Sequence, residues 1–400
     1  MSESDPDTDN ESRDDLGSLM ERSGSEEGRP DQPEIHPLTI EILSECLSLL
    51  CKTGNGLAHA YVRVDLKDRG LTDINALRPF IHLRYLDVSM NFLRDLSSLT
   101  NLSHLLWLCA DENYLTSAYI EDLPFLQVAS MAKNRIRDTE GIGHPLLESL
   151  NLIENQIREV SGLDPNKLTR LHTLELRGNM LESTEGINLP NLQNLYLAGN
   201  SINRLEGLEV LTGLRTLHLR DNHLESLQGF SASMASLQYI NFRGNLIVKI
   251  QEMKHLQCLP ALRALIIAEN PCTEEESYRL ETLLLLRKLE RLDKEGFSTD
   301  DRLEAEEIHK QREAEQKEKE ANERDGESWG DGGEREIWGA SGCAASGSQR
   351  ESRRRRERQI QGEGRSEDYR EMAGIEDTLR LWEGGIQGEG VSRTWTRPQQ

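Results

Sequence analysis

Apolar residues in the middle of this chain recur in one template that is neither a plain helical period nor a plain strand period. An apolar residue is followed by another three positions on, a third two further, an asparagine three beyond that, and a last apolar residue after two more. Leu147, Leu150, Leu152, Asn155 and Ile157 fit it, as do Leu171, Leu174, Leu176, Asn179 and Leu181, and Leu214, Leu217, Leu219, Asn222 and Leu224. The apolar pair two residues apart lies on one side of a short strand, so both members point into the same interior. The asparagines fall at Asn91, Asn113, Asn134, Asn155, Asn179, Asn200, Asn222, Asn245 and Asn270, at intervals of 21 to 25 residues. One strand per interval predicts a stack of near-identical turns.

The template is that of a leucine-rich repeat, in about ten copies. The first is degenerate: Tyr61, Val64, Leu66 and Leu71 are in place, but Arg69 stands where the asparagine belongs. An asparagine there can donate and accept at once, satisfying backbone groups that the buried turn leaves without partners. All nine are therefore read as a structural ladder. A second apolar pair follows it, as in Leu96 with Leu99, Val160 with Leu163, Thr184 with Ile187, Leu205 with Leu208, and Leu227 with Phe230. So short a repeat leaves space for a 3₁₀ or helical turn on the outside. The expected fold is α/β: a leucine-rich-repeat solenoid with a curved parallel β-sheet on its concave face, short 3₁₀ or helical convex segments, helical caps and disordered tails.

The ends of the stack need covering. Leu38 to Cys51 places Leu43, Cys46, Leu47 and Leu50 on one helical stripe behind Thr39 as N-cap, with Gly54-Asn55-Gly56 as a turn. Residues 37–57 are thus expected to be a helical N-cap. The solenoid itself should occupy 58–297, closing on a leucine-dense terminal helix over Tyr278 to Leu292. Residues 298–325 read as a solvated, lone charged helix, with Glu306/Lys310, Glu313/Lys317 and Glu315/Lys319 in the favourable i, i+4 order. Residues 326–400 form a low-complexity tail expected to be disordered, with Ile360 to Gly364 repeated at Ile386 to Gly390. Residues 1–36 hold 12 acidic side chains against 3 arginines and few apolar ones, which predicts disorder there too.

Composition narrows the chemistry. The net charge is −23, which argues against nucleic acid as a partner, although Arg353 to Arg358 could bind phosphate. The N-terminus has neither the basic nor the apolar region of a signal peptide, and no stretch is apolar enough to span a membrane, so no membrane association is expected. Six scattered cysteines suit reduced thiols in the cytoplasm, with Cys46 and Cys51 read as core. No H-E-x-x-H, G-x-S-x-G, phosphate-binding loop or metal-spaced Cys/His set is present. The reading is a scaffold and not an enzyme, with no catalytic residues, metal or cofactor, and nothing that points to a small-molecule ligand.

Function must then sit on residues between the inward leucines. One outward column of the sheet reads Arg63, Tyr85, Trp107, Val128, Ser149, Thr173, Asn194, Thr216, Tyr239 and Ala264, and the next Asp65, Asp87, Cys109, Ser130, Asn151, Glu175, Tyr196, His218, Asn241 and Ile266. Arg177, Arg220 and Arg243 follow in the C-terminal half, against Asp111 toward the N-terminus. Aromatic residues and arginine dominate protein interface hot spots. Tyr85, Trp107, Arg177, Tyr196, His218, Arg220, Tyr239 and Arg243 are the expected partner-binding residues, and proteins the expected partners.

The repeats resemble intracellular leucine-rich repeats of the protein-phosphatase regulatory type. Segments between repeats go further: Leu47 to Val62, Asp138-Thr-Glu-Gly-Ile142, Gly162-Leu-Asp-Pro165 and Glu182 to Pro190 resemble the radial-spoke leucine-rich-repeat proteins of motile cilia and sperm flagella. The resemblance covers about residues 38 to 300; the tail beyond 326 departs from it. It implies a cytoskeletal protein of the axoneme that joins other radial-spoke components and is needed for motility. The alternative is a regulatory subunit that grips a phosphatase or another cytosolic enzyme through the concave face.

Overall fold

A computed structural model describes residues 35–327 apart from Asn55 and Asp122, with side chains to residue 317. The acidic N-terminal segment to residue 34 and the tail from 328, including Arg353 to Arg358, lie outside the described residues. Two compact units divide the chain, Met1–Arg324 and Asp325–Gln400, and the repeats with both their caps belong to the first.

Short strands, one for each repeat, line up in chain order in one sheet. They are β2 (His59–Asp65), β3 (Tyr85–Asp87), β4 (Trp107–Cys109), β5 (Val128–Ser130), β6 (Ser149–Asn151) and β7 (Thr173–Glu175). The series continues with β8 (Asn194–Tyr196), β9 (Thr216–His218), β10 (Tyr239–Asn241) and β11 (Ala264–Ile266), each parallel to its neighbours. The middle residue of every three-residue strand is buried, and with the template's other apolar residues it builds one continuous core from Leu38 to Leu292. Only stacking can make such a core, since a single repeat has nothing to bury its leucines against. Outside the sheet the chain returns through 3₁₀ turns, as at Ser97–Leu99, Leu208–Val210 and Ile250–Cys258, or through irregular loops.

Each asparagine fastens two repeats. Asn179 Nδ2 donates to Leu176 O at 3.1 Å within its own repeat and to Leu152 O at 2.9 Å in the preceding one. Its Oδ1 accepts from Ile157 N at 3.1 Å. The pattern runs from Asn91 to Asn270, where Asn270 Oδ1 accepts from Ile247 N at 3.1 Å. Beyond the ladder, Asp293, which does not occupy an asparagine position, accepts at Oδ1 from Ile267 N and Ala268 N at 2.8 Å each. A second backbone ladder runs beside it: Tyr114 N to Leu93 O, Arg135 N to Leu115 O, Gln156 N to Ile136 O.

Both caps differ from their sequence reading. The expected N-terminal helix ends early: α1 spans Ile40–Cys46, with Thr39 Oγ1 accepting from Ile42 N at 3.4 Å, and buries Leu43 and Cys46. From there the chain forms β1 (Leu47–Lys52), antiparallel to β2. Leu50 and Cys51, expected in the helix core, are exposed strand residues. The reason is the free edge of β2, whose N–H and C=O groups need partners that a helix cannot offer. The C-terminal leucine run is likewise divided. Helix α2 (Tyr278–Leu285) stops short of Leu292, and β12 (Arg291–Leu292) adds a further parallel strand beside β11 before folding back on β13 (Glu295–Gly296). The charged helix α3 spans Thr299–Glu327. It is not the lone extension expected: Arg312 Nη2 reaches Glu281 Oε1 on α2 at 2.7 Å, and Arg302 Nη2 donates to Leu289 O at 3.0 Å. The Glu306–Lys310 pair closes at 2.9 Å, while Glu313 meets His309 at 3.2 Å.

Candidate functional site

Strand register turns the sequence columns into rows of side chains on the open face. Arg63 pairs with Tyr85, Tyr85 with Trp107, and so on to Tyr239 with Ala264, while Asp65 begins the parallel row through Glu175, Tyr196, His218 and Asn241 to Ile266. Tyr85 and Trp107 are therefore neighbours on β3 and β4. Tyr196, His218 and Tyr239 come together on β8, β9 and β10, far along the stack. The His218 ring lies between the two tyrosines, with centroids 4.8 Å from Tyr196 and 5.1 Å from Tyr239. The Arg177 guanidinium sits 5.7 Å from the Tyr196 ring centre.

Charge divides the face. Asp65, Asp87 and Asp111 lie toward the N-terminus, where Asp111 Oδ1 accepts from Ser130 Oγ at 2.6 Å and Ala132 N at 2.7 Å. Burial pushes the Asp111 carboxyl up despite these donors. It also pushes the neighbouring Cys109 thiol up to about 12, with Asp111 and Asp87 adding to the effect. At that value the Cys109 thiol stays protonated at neutral pH.

The arginines occupy the other half and are held in two ways. Arg177 Nε bonds Glu175 Oε2 at 2.9 Å, and the Glu175 side chain is only 1% exposed. Among the described residues Glu175 Oε1 has no hydrogen-bond partner. Burial pushes this carboxyl up to about 7, with Arg177 pulling the other way. Breaking such a pair strands a buried charge, so Arg177 is committed to the fold. Arg220 Nε, by contrast, meets Asp221 Oδ2 at 3.1 Å and Arg243 Nη2 meets Glu269 Oε1 at 2.6 Å, with both carboxylate side chains more than half exposed. Exposed pairs of this kind contribute about 0–1 kcal/mol. Burial, helped by Arg177, lowers the His218 imidazole to about 4, so it is neutral at physiological pH. The site is thus a cluster of uncharged rings with three arginines, Arg177 paired to a buried carboxylate and Arg220 and Arg243 to exposed ones.

Glu175 is the member of this site that the choice of aromatic residues and arginines leaves out. Its signal in the sequence is local: a glutamate closes β7, an arginine follows two positions on, and the register sets Tyr196 beside that glutamate. Among the described residues no group of three or more His, Cys, Asp or Glu side chains could hold a metal ion, and no helix is long and apolar enough to cross a membrane.

Comparison with known proteins gives the geometry a family. Residues 169–322 match the family model described as a leucine-rich repeat. Leucine-rich repeat-containing protein 23 of Bos taurus is 56% identical over 272 residues, 68% of this chain and 80% of the relative. That of Homo sapiens is 53% identical over 289 residues, 72% of this chain and 84% of the relative. The chain belongs to the leucine-rich repeat-containing protein 23 family. A solved internalin structure from Listeria monocytogenes aligns over 57% of this chain and 72% of its own at 22% identity, with a TM-score of 0.41.

Membership makes the chain a protein-interaction scaffold, and the structure explains segments that set it apart from a bare repeat. In Asp138-Thr-Glu-Gly-Ile142 the buried Thr139 donates to Ser161 O at 2.5 Å and accepts from Ser161 N at 3.0 Å. In the Glu182 to Pro190 segment Thr184 makes the same two-way bond with Glu206, at 2.7 and 2.8 Å. These threonines do on the outer side what the asparagines do on the inner one.

Proposed function

We propose that the chain is a non-enzymatic structural component of the axoneme in motile cilia and sperm flagella, a radial-spoke scaffold that holds neighbouring proteins on its open face. Resemblance of its inter-repeat segments to radial-spoke repeat proteins supports the location. The observation that supports the mode of action is the cluster of Tyr196, His218 and Tyr239, whose rings already pack on one another across three strands. Rigid rings gain contact area at small entropic cost.

A fluorescently tagged full chain expressed in multiciliated cells or sperm tests the reading. Signal along the axoneme that resists detergent extraction is expected. Diffuse cytosolic or nuclear signal with none along the axoneme would overturn it.

A further inference from the structure

Arg220 and Arg243 are held by groups that an incoming ligand can replace. Their carboxylate partners, Asp221 and Glu269, are 54% and 56% exposed, whereas the partner of Arg177 is buried. Exchange at the first two leaves a displaced carboxylate in water; exchange at Arg177 would leave one inside the protein. Both replaceable arginines flank the ring row. A new carboxylate bound there would rest against uncharged aromatic surface, where its attraction to a guanidinium is screened less than in open water. The two side chains stand on adjacent repeats, roughly 5 Å apart along the stack, and alternate residues of an extended strand are separated by roughly 6.6 Å. The Arg220 side chain is 38% exposed and that of Arg243 28%, and rotation about their several side-chain bonds spans that difference.

Charge on the rest of the face sets direction and limit. Asp65, Asp87 and Asp111 crowd the N-terminal half, so an acidic stretch would be repelled beyond β5. The net charge of −23 over the whole chain does not prevent local binding, because charges more than about 8 Å away are largely screened at physiological salt.

We propose that the β8 to β10 part of the open face seats an extended acidic segment of a partner protein, whose carboxylates replace Asp221 and Glu269 on Arg220 and Arg243 while its chain lies over Tyr196, His218 and Tyr239. The proposal rests on the open face being the docking face, and adds the chemistry of what docks.

The test uses the full chain and a fluorescein-labelled peptide of alternating glutamate and tyrosine, with a lysine–tyrosine peptide as control, read by fluorescence anisotropy. Removing the competitors with Asp221→Asn and Glu269→Gln together should tighten binding of the glutamate peptide by about three-fold or more. Arg220→Gln with Arg243→Gln should weaken it by about ten-fold. Arg94→Gln with Arg158→Gln, exposed residues three positions past Asn91 and Asn155 and outside the strands, should leave it unchanged. Three results would each overturn the proposal: equal or tighter binding of the lysine peptide, tighter binding of a poly-uridine oligonucleotide, or no tightening when the competitors are removed. That last readout stands even if the arginine variant misfolds. Axonemal signal from the tagged, unaltered chain in the face of such a result would leave the scaffold reading intact and remove only its chemistry.

Discussion

Two residues on the open face, His218 and Glu175, sit in protonation states set by burial rather than by solution chemistry. His218 titrates at about 4 in the folded chain against an ordinary value of 6.5. Between those values the folded protein binds fewer protons than the unfolded one, so stability present above pH 6.5 is lost as pH falls toward 4. Glu175, raised to about 7 from 4.5, works the opposite way: the folded protein holds its proton longer, and stability falls as pH rises from 4.5 through 7. Replacing one residue separates them. His218→Phe keeps a ring between Tyr196 and Tyr239 and leaves Glu175 in place. Going from pH 7.5 to 5.0, the unfolding free energy of the variant should gain about 2 kcal/mol relative to the unaltered chain, as judged by urea denaturation. A constant difference across that range would mean that His218 takes up its proton equally in the folded and unfolded chain, and that burial does not lower it. The sequence shows His218 as an outward residue. It does not show that the ring is neutral, because the cause is burial between rings from two other repeats, 22 and 21 residues away.

At the scale of single elements, strands and asparagines can be read from the sequence because both are fixed within a few residues of themselves. The caps cannot. Leu47 to Lys52 has a spacing compatible with a helix, and only the unpaired edge of β2 decides that it becomes a strand. A conformational regularity is equally hidden in the sequence: the residue before each asparagine is left-handed, at φ 57° for Met90, 52° for Glu112, 51° for Glu154, 66° for Gly178 and 52° for Asp221. Side chains are thus tolerated at a position that three repeats fill with glycine. Gly178→Ala should cost only about 1 kcal/mol, the penalty of a left-handed Cβ. Gly186, at φ 86°, differs because its added Cβ would run into the Val160 carbonyl oxygen. Gly186→Ala should lose upwards of about 2 kcal/mol, from the same conformational cost plus displacement of packed backbone. Chemical denaturation of the two variants side by side checks the order, and equal losses would rule out the backbone clash as the cause.

The described residues share one core, covered at each end by a different device. The C-terminal cap matters more than the long helix after it. Helix α3 holds on through Arg312, Arg302 and the buried Ala305, whereas α2 and β12 cover the last apolar repeat with Leu283, Leu286, Leu289 and Leu292. A chain ending at residue 298 should therefore unfold within about 1 kcal/mol of the full chain. One ending at residue 277 exposes Leu256, Leu262 and Leu265 and should aggregate or melt far lower. Size-exclusion chromatography and thermal melting distinguish the two, and comparable behaviour would assign the capping role elsewhere. The solenoid as a whole is legible in its repeats, and the rows of the open face in their spacing. What each arginine is bonded to is not, since Asp221 is a neighbour in sequence while Glu269 arrives from the next repeat.

Repeat length varies, but the variation is confined. From the first residue of each strand to its asparagine the count is constant at six, from Tyr85 and Asn91 through Thr173 and Asn179 to Ala264 and Asn270. All the slack between 21 and 25 residues lies on the outer return. The chain thus carries a ruler on one side and an elastic margin on the other. An added residue or small tag belongs in that margin, away from Thr139, Thr184 and Gly186, whereas one residue inserted on the ruled side would put every later side chain of that repeat out of step.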